Sequence, residues 1–281
     1  MNKDKLNIFY GFRQNSRNVT AICLKYAKDN IITIPRGDIA RNLLFSDILP
    51  YVKKYIYLFI DNKIVGYDEN YIIHINIKDF TIKIQNWIIL LTTAVNNHNN
   101  TLIDTEYRKK LYNDQIVKWL NNTSYTIIVV ESSGYDFPIE HERLIKISFK
   151  IKEEIFCSTQ SESISIKYAL DYIKNTHYYN VCTHILKVTG RYYLEGIETY
   201  FNTISSNKDL YLQNHRNDEI KWQNSEYYGI KKQLFLTFLE SVNKLMEHSL
   251  YDFSLVNTYC QIGYFKNNIP RGGDNMVISE L

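Results

Sequence analysis

Hydrophobic and polar positions alternate along the first third of the chain with a period of two. Leu6 to Phe12 and Asn30 to Ile34 read as strands. Tyr55 to Ile60, Lys63 to Tyr67 and Tyr71 to Ile77 follow as β-branched and aromatic runs separated by Asp61-Asn62 and Asp68-Glu-Asn70. Turn-forming residues between such runs predict a meander of antiparallel hairpins. After Trp87 the rhythm changes. Apolar runs at Ile88 to Thr92, Thr126 to Val130, Leu144 to Phe149 and His184 to Thr189 alternate with stretches of helical period, the pattern of an α/β sheet with crossover helices. The first helix starts at an Asp104 or Thr105 cap and carries Tyr112, Ile116, Trp119 and Leu120 on one face before Asn121-Asn122. The second starts within Ser158 to Ser163 and buries Ile166, Leu170 and Ile173. The third runs from about Glu226 to His248, with Phe235, Phe238, Leu239, Val242 and Leu245 on its apolar stripe. The tail from Asn267 to Leu281 has little core-forming content and reads as a loop. The fold expected is α+β, with a small antiparallel β module over residues 1–82 and an α/β domain over residues 83–281, the boundary lying near residue 82.

Composition narrows the function classes. A chain of 281 residues with 45% hydrophobic and 14% aromatic residues is built to fold. Its 33 basic and 30 acidic residues leave a net charge of +3, too balanced for the broad electrostatic attraction that nucleic-acid binding uses, so nucleic acid is not an expected partner. The four cysteines, Cys23, Cys157, Cys182 and Cys260, have neither CxxC nor Cys/His spacing, which argues against a zinc site and against a dense disulfide framework. No apolar run reaches the roughly 18 residues that a membrane span needs, and Met1-Asn-Lys-Asp-Lys5 does not read as a signal peptide. The chain is expected in the cytoplasm, where the sequons at Asn18, Asn121 and Asn122 have no meaning.

Candidate chemistry gathers at the strand ends, because ligands of an open α/β sheet sit outside the carboxyl ends of its strands. Thr92 and Thr93 lie at one such end and Glu131, Ser132, Ser133 and Gly134 at another, offering hydroxyls and a pliable backbone to a base and ribose. A Ser-Ser-Gly run also serves simply to turn a chain out of a strand. Ser158, Gln160 and Ser161 open a helix, whose free N–H groups suit a diphosphate or sugar hydroxyls, although Ser and Thr are also ordinary caps. Thr189, Gly190 and Arg191 end another strand. The glycine permits close approach of a ligand, and the arginine pairs with a phosphate or with a structural carboxylate.

These segments carry a resemblance. Ile88-Ile-Leu-Leu-Thr-Thr-Ala-Val95, Trp119-Leu-Asn-Asn122, Val129-Val-Glu-Ser-Ser-Gly-Tyr135, Ser158-Thr-Gln-Ser-Glu162, Leu186-Lys-Val-Thr-Gly-Arg-Tyr-Tyr193, Gln223-Asn-Ser-Glu-Tyr-Tyr-Gly229 and Arg271-Gly-Gly-Asp-Asn275 occur in order. Over roughly residues 84 to 281 they resemble glycosyltransferases encoded by large DNA viruses of algae and amoebae, several of which are similar to fold type A transferases. Asn18 to Cys23 and Ile31 to Pro35 resemble a module found beside such domains. The resemblance implies a GT-A-like domain binding a nucleotide sugar, most simply a UDP-sugar, in host cytoplasm. Its binding residues would be Thr92, Thr93, Glu131, Ser132, Ser133, Gly134, Ser158, Gln160, Ser161, Lys187, Thr189, Gly190, Arg191 and Arg271. Tyr192, Tyr193 and Tyr227 would meet a glycan or glycoprotein acceptor.

The sequence departs from the family where many members hold a divalent metal. It has no Asp-x-Asp, and Thr189-Gly-Arg191 stands in that place. Hard cations want carboxylate-rich oxygen sets, so the expectation is no cofactor and no metal held in the familiar way, Mn²⁺ or Mg²⁺ staying open as the alternative, with Arg191 and Arg271 stabilising the leaving diphosphate. Glu140-His-Glu142 reads as solvated surface. An inverting transferase also needs a base for the acceptor hydroxyl. Glu226 is the candidate, expected at a helix start where an acid is also favoured by the dipole; Asp136, Asp218 and Glu219 compete. Other classes stay open: a non-catalytic carbohydrate-binding or virion-assembly protein on a transferase-like fold, or another nucleotide-dependent enzyme, although no GxxxxGK[ST] phosphate loop is present.

Overall fold

A computed structural model describes residues 6–60, 63–96, 105–151, 158–176, 178–179, 182–203, 208–214, 216–242, 246–256 and 262–265. The chain forms two compact units, Met1–Asn86 with Glu195–Asn207, and Trp87–Leu194 with Lys208–Leu281.

In the first unit β1 (Leu6–Phe12), β2 (Asn15–Asn18), α1 (Thr20–Lys25), β3 (Ile31–Ile34), α2 (Asp38–Phe45), β4 (Tyr55–Ile60), β5 (Lys63–Tyr67), β6 (Ile72–Asn76) and β7 (Ile82–Gln85) follow one another. They make two antiparallel sheets, in the orders β2-β1-β4-β5 and β3-β6-β7. The expected meander is therefore interrupted. β4 and β5 form a hairpin, but β6 pairs with β3 and β7 in the other sheet. Burial explains the break: β5 is solvent-exposed along nearly its whole length, whereas four of the five β6 residues are buried. Ile8, Tyr10, Ile56 and Leu58 from one sheet and Ile32, Ile34, Ile73 and Ile75 from the other share one core. Arg41 is buried within this unit and donates to the carbonyls of Pro35 (2.9 Å) and Tyr71 (2.8 Å), tying α2 to the loops around it.

The second unit begins with β8 (Trp87–Thr93), α3 (Thr105–Asn122), β9 (Thr126–Glu131), β10 (Leu144–Ser148), α4 (Ser158–Ile173) and β11 (His184–Thr189). The chain then contributes α5 (Ile197–Thr203) to the first unit, where the Arg36 N–H donates to Asn202 Oδ1 at 3.1 Å. It resumes in the second unit with β12 (Leu210–Gln213), β13 (Arg216–Asn217), β14 (Trp222–Gln223), β15 (Tyr227–Lys231), α6 (Lys232–Ser241), α7 (Met246–Val256) and β16 (Ile262–Phe265). Seven of these strands form one sheet in the order β10-β9-β8-β11-β15-β12-β16. β10, β9, β8 and β11 run parallel, β15 is antiparallel to both neighbours, and β12 and β16 are parallel to each other. The protein is thus α+β: antiparallel sheets first, then a mainly parallel α/β sheet.

The helices α3 and α4 bury the residues that periodicity assigns to them, Tyr112, Ile116, Trp119 and Leu120 in one and Ile166, Leu170 and Ile173 in the other. The third helix differs from its expectation. Residues 227–231 are a strand, α6 covers only Lys232–Ser241, and α7 is separate. Tyr227-Tyr228-Gly229-Ile230 is buried throughout, and an aromatic and β-branched run buried on both faces suits an interior strand. Gly229 is required there, because a Cβ would lie 2.8 Å from the Trp87 ring on β8. Leu245 and the tail from Asn267 to Leu281 lie outside the described residues.

His184 opens β11 in full burial, its ring stacked on Trp87 with centroids 4.6 Å apart. Nε2 lies 2.9 Å from the Lys208 carbonyl and Nδ1 lies 2.9 Å from the Thr183 hydroxyl. That pairing suits the neutral ring with its proton on Nε2. Burial pushes its pKa down to about 4. The unfolded chain then takes up a proton between its ordinary pKa of about 6.5 and 4 that the folded chain refuses, so stability falls as pH drops through that window, by about 3 kcal/mol in all. Urea unfolding from pH 7.5 down to 4.5 is expected to show this loss, and His184→Gln to flatten it; an equally steep curve in that variant would assign the dependence to other groups.

Candidate functional site

The chain enters the parallel sheet at β8, builds outward through β9 and β10 on one side, then crosses to β11 on the other. Such a reversal leaves a crevice outside the carboxyl ends of the two strands that flank it, because the loops leaving them diverge. Here these are β8, ending in Thr92 and Thr93, and β11, ending in Thr189.

Three buried polar arrangements meet at this end of the sheet. The first is the loop after β9. Glu131 is 1% exposed. Its Oε1 accepts from the Val95 N–H (2.8 Å) and the Ser133 hydroxyl (2.6 Å), and its Oε2 from the N–H groups of Ser133 (2.9 Å) and Tyr135 (2.7 Å). Ser132 donates through its backbone to the Thr93 carbonyl at 3.1 Å, Ser133 Oγ accepts from the Asn96 N–H at 3.0 Å, and Gly134 turns with φ of 86°. These residues are brought to the site, but the Glu131 carboxylate is engaged by its own loop and so is not offered to a ligand.

The second arrangement lies deeper in the sheet. Lys187, in the middle of β11, is 0% exposed. It forms an ion pair with Glu162 of α4 and donates to the Ser225 carbonyl (2.9 Å) and Thr189 Oγ1 (3.2 Å). Thr92 donates its hydroxyl to the same Glu162 oxygen at 3.2 Å. Lys187 therefore does not reach a ligand as expected; it ties α4 to the sheet, and its three protons are accounted for. Beside it the buried Tyr228 hydroxyl has no hydrogen-bond partner among the described residues, and burial first, then the Glu162 charge, hold it protonated far above the ordinary tyrosine range. Glu162 lies in the segment Ser158-Thr-Gln-Ser-Glu162, where the sequence assigns it no role. The signal that points to it is Lys187 itself, since a lysine inside an apolar strand demands a buried anion.

The third arrangement faces outward. Gly190 follows β11, and its N–H donates to the Thr92 carbonyl at 2.8 Å. A Cβ there would lie 2.3 Å from Thr93 Cγ2 and 3.0 Å from Thr92 O. The close approach that Gly190 permits is thus to β8 of the protein's own sheet. Arg191 comes next, one-third exposed, with Nη2 donating to Glu226 Oε1 (3.0 Å) and Oε2 (3.3 Å). Its guanidinium lies 5.3 Å from the centroid of the Tyr192 ring, and its Nε is buried with no hydrogen-bond partner among the described residues. Burial works against the charge of Arg191, but the Glu226 carboxylate and the Tyr192 and Tyr112 hydroxyls together outweigh it and raise the pKa further.

Glu226 stands just before β15 rather than at a helix start. The Thr189 N–H donates to its carbonyl at 2.8 Å, and its own N–H donates to Asn224 Oδ1 at 3.0 Å. The antiparallel pairing of β11 with β15 is what sets it opposite Arg191 across 35 residues of chain. Of the tyrosines, Tyr192 accepts through its carbonyl from Trp119 Nε1 at 2.9 Å, and the Tyr193 ring packs edge-on against Trp119 with centroids 5.2 Å apart. Tyr227 is 1% exposed inside β15, so stacking on an acceptor, expected from sequence, is not open to it. Gln160 and Ser161 lie part-buried in the first turn of α4; the Ser158 side chain and Arg271 lie outside the described residues. Among the described residues no three His, Cys, Asp or Glu side chains gather where they could hold a metal ion, and no helix is long and apolar enough to cross a membrane.

No protein-family model matches this sequence, and no curated protein does. Among solved structures, the crystal structure of 4-diphosphocytidyl-2C-methyl-D-erythritolsynthase from Anaerococcus prevotii DSM 20548 aligns with 64% of this chain and 88% of its own, at 14% identity and a TM-score of 0.37. A likeness of that degree carries no argument about chemistry, and the functional reading rests on the site itself.

Proposed function

We propose that the second unit is a glycosyltransferase domain that moves a monosaccharide from a nucleotide sugar, most simply a UDP-sugar, to a glycan hydroxyl, with inversion and without a metal ion. The observation that carries this reading is the pairing of Arg191 with Glu226 at the point where the sheet order reverses. One cation for a leaving phosphate and one carboxylate for an attacking hydroxyl are the minimum set for such a transfer. The other nearby carboxylates are committed, Glu131 to its loop and Glu162 to Lys187.

In this mechanism the donor diphosphate engages Arg191, whose Nε has no protein partner among the described residues, and draws it from Glu226. The released carboxylate takes the proton of the acceptor hydroxyl as its oxygen bonds to the anomeric carbon. The bond from that carbon to the phosphate oxygen breaks, and its electron pair leaves with the nucleoside diphosphate. The guanidinium, now on the diphosphate, stabilises the charge that develops there.

The test is thermal stability of the intact protein with UDP, GDP, CMP and a panel of UDP-sugars, each with EDTA and with Mn²⁺. A ligand at 100 times its Kd adds about 2.7 kcal/mol to the folded state. Stabilisation by one nucleotide family that survives EDTA supports the reading, and Arg191→Ala is expected to abolish it. Glu226→Gln is expected to keep donor binding and lower turnover by about 10²-fold; near-wild-type transfer by that variant would remove Glu226 as the base. No response to any nucleotide would favour a non-catalytic glycan-binding protein.

A further inference from the structure

A half-buried antiparallel sheet normally turns apolar residues inward and polar residues out. The sheet β2-β1-β4-β5 of the first unit breaks this rule. Leu6, Ile8, Tyr10, Ile56 and Leu58 fill the core, so the alternate positions face outward. The register aligns Asn7 with Phe59, Phe9 with Tyr57 and Gly11 with Tyr55 across β1 and β4. It adds Tyr57 opposite Gly66 and Phe59 opposite Ile64 on β5, and Asn18 opposite Phe9 and Ser16 opposite Gly11 on β2.

The outward face is thus a stripe of rings. Phe9 and Phe59 meet edge to face with centroids 5.1 Å apart, and Tyr55 and Tyr57 stack at 6.0 Å with planes 30° apart. All four are only partly buried. Gly66 leaves room for the Tyr57 ring to lie across β5, since a Cβ there would come within 3.3 Å of it. From Tyr55 to Phe59 the stripe runs about 14 Å along the strand, longer than a single small ligand requires.

Charge decides between occupants. No outward register position on these four strands carries a charged residue; Arg17 pairs with Tyr10 and Lys63 with Ile60, both of the inward set. Lys53, which lies 5.8 Å from the Tyr55 centroid at one end, is paired with Asp68 at 3.2 Å and Glu69 at 3.9 Å. A single-stranded nucleic acid stacks on rings but also needs cations along its phosphates, and here Arg13 and the paired Lys53 sit at the Tyr55 end while no register position along the stripe carries one. The neutral polar groups that border the rings are the amides of Asn7 and Asn18, which meet at 3.5 Å, the Ser16 hydroxyl, which donates to the Arg13 carbonyl at 3.0 Å, and the Tyr57 hydroxyl, which accepts from the Arg13 N–H at 3.2 Å; one cation joins them at the Tyr55 end, the Arg13 guanidinium 5.0 Å from the Phe12 centroid. Neutral donors and acceptors beside apolar ring faces match a ligand that is itself neutral, with C–H faces and hydroxyl edges.

We propose that this face is a second binding site, for a neutral oligosaccharide, separate from the candidate donor site and independent of whether the protein transfers sugars. The experiment is binding of the intact protein to an array of neutral and acidic glycans, with hits titrated by calorimetry. It compares wild type, Phe9→Thr, Tyr57→Thr and Tyr57→Trp, all checked for native circular dichroism, and includes an oligo(dT) probe and light scattering. The expected result is binding of a neutral glycan that weakens at least tenfold in Phe9→Thr and Tyr57→Thr, persists in Tyr57→Trp, and is unchanged in Arg191→Ala. Arg191→Ala also keeps failure here distinct from failure at the donor site. Four outcomes would each overturn the proposal: no neutral glycan retained; binding indifferent to the rings; ring-dependent binding of oligo(dT) instead; or a dimer that dissociates when the rings are removed, which would make the face a contact between copies.

Discussion

Lys187→Met is expected to destabilise the protein by about 3–5 kcal/mol, because it leaves a buried carboxylate without its cation. The lysine is fully buried and shares one Glu162 oxygen with the Thr92 hydroxyl. Methionine fills much of the same volume, so loss of packing is not the main term. What remains is the Glu162 charge, whose side chain is 18% exposed and can recover only part of its hydration. Chemical denaturation of the single variant and of Lys187→Met with Glu162→Leu checks the cause. Removing both charges is expected to restore most of the loss, since a buried pair replaced by apolar residues is often neutral. If the double variant is no more stable than the single one, packing rather than charge accounts for the effect. Because the pair joins α4 to β11, the single variant should also lose any nucleotide-induced stabilisation.

Glu131→Ala is expected to cost a similar amount, about 3–5 kcal/mol, through several backbone groups at once. The carboxylate accepts from the N–H groups of Val95, Ser133 and Tyr135, and each donor left buried without a partner costs about 1–3 kcal/mol, less where water enters. Glu131→Gln separates hydrogen bonding from charge. Its amide keeps one acceptor oxygen but presents N–H groups to backbone N–H groups, so it should recover only a minority of the loss. Amide exchange read at Val95, Ser133 and Tyr135 should rise together in both variants. A stable Glu131→Ala protein with unchanged protection at those three residues would show that the loop is held by its turn geometry, Gly134 included, and not by the carboxylate.

Much of the second unit was legible because burial imposes its period locally. The apolar runs of β8, β9 and β11 and the stripes of α3 and α4 are written in consecutive residues, and a sheet rule that needs only strand ends pointed to Thr92, Thr93 and Thr189. The residues misread are those whose partners are far away in sequence. Tyr227 to Ile230 has a pattern compatible with helix or strand, and only its seat between β11 and β12 makes it a strand. Gly190 reads as room for a ligand until Thr93 is seen to fill that room. Lys187 and Glu131 read as ligand contacts until their partners on α4 and in the loop before Asn96 are known.

By itself the sequence determined the fold class, the order of antiparallel and parallel parts, the core faces of the long helices, and the strand ends where polar chemistry collects. These follow from hydrophobic periodicity and turn chemistry, which act over a few residues. Tertiary structure alone decided that α5, inserted between β11 and β12, belongs to the first unit, and that β5 and β6 part into different sheets. It also decided that Arg191 meets Glu226 and that Lys187 is spent on Glu162. Those outcomes depend on which buried charges and strand edges find each other when the whole chain collapses, and the free energy of a buried pair belongs to both partners at once, so neither residue announces it alone.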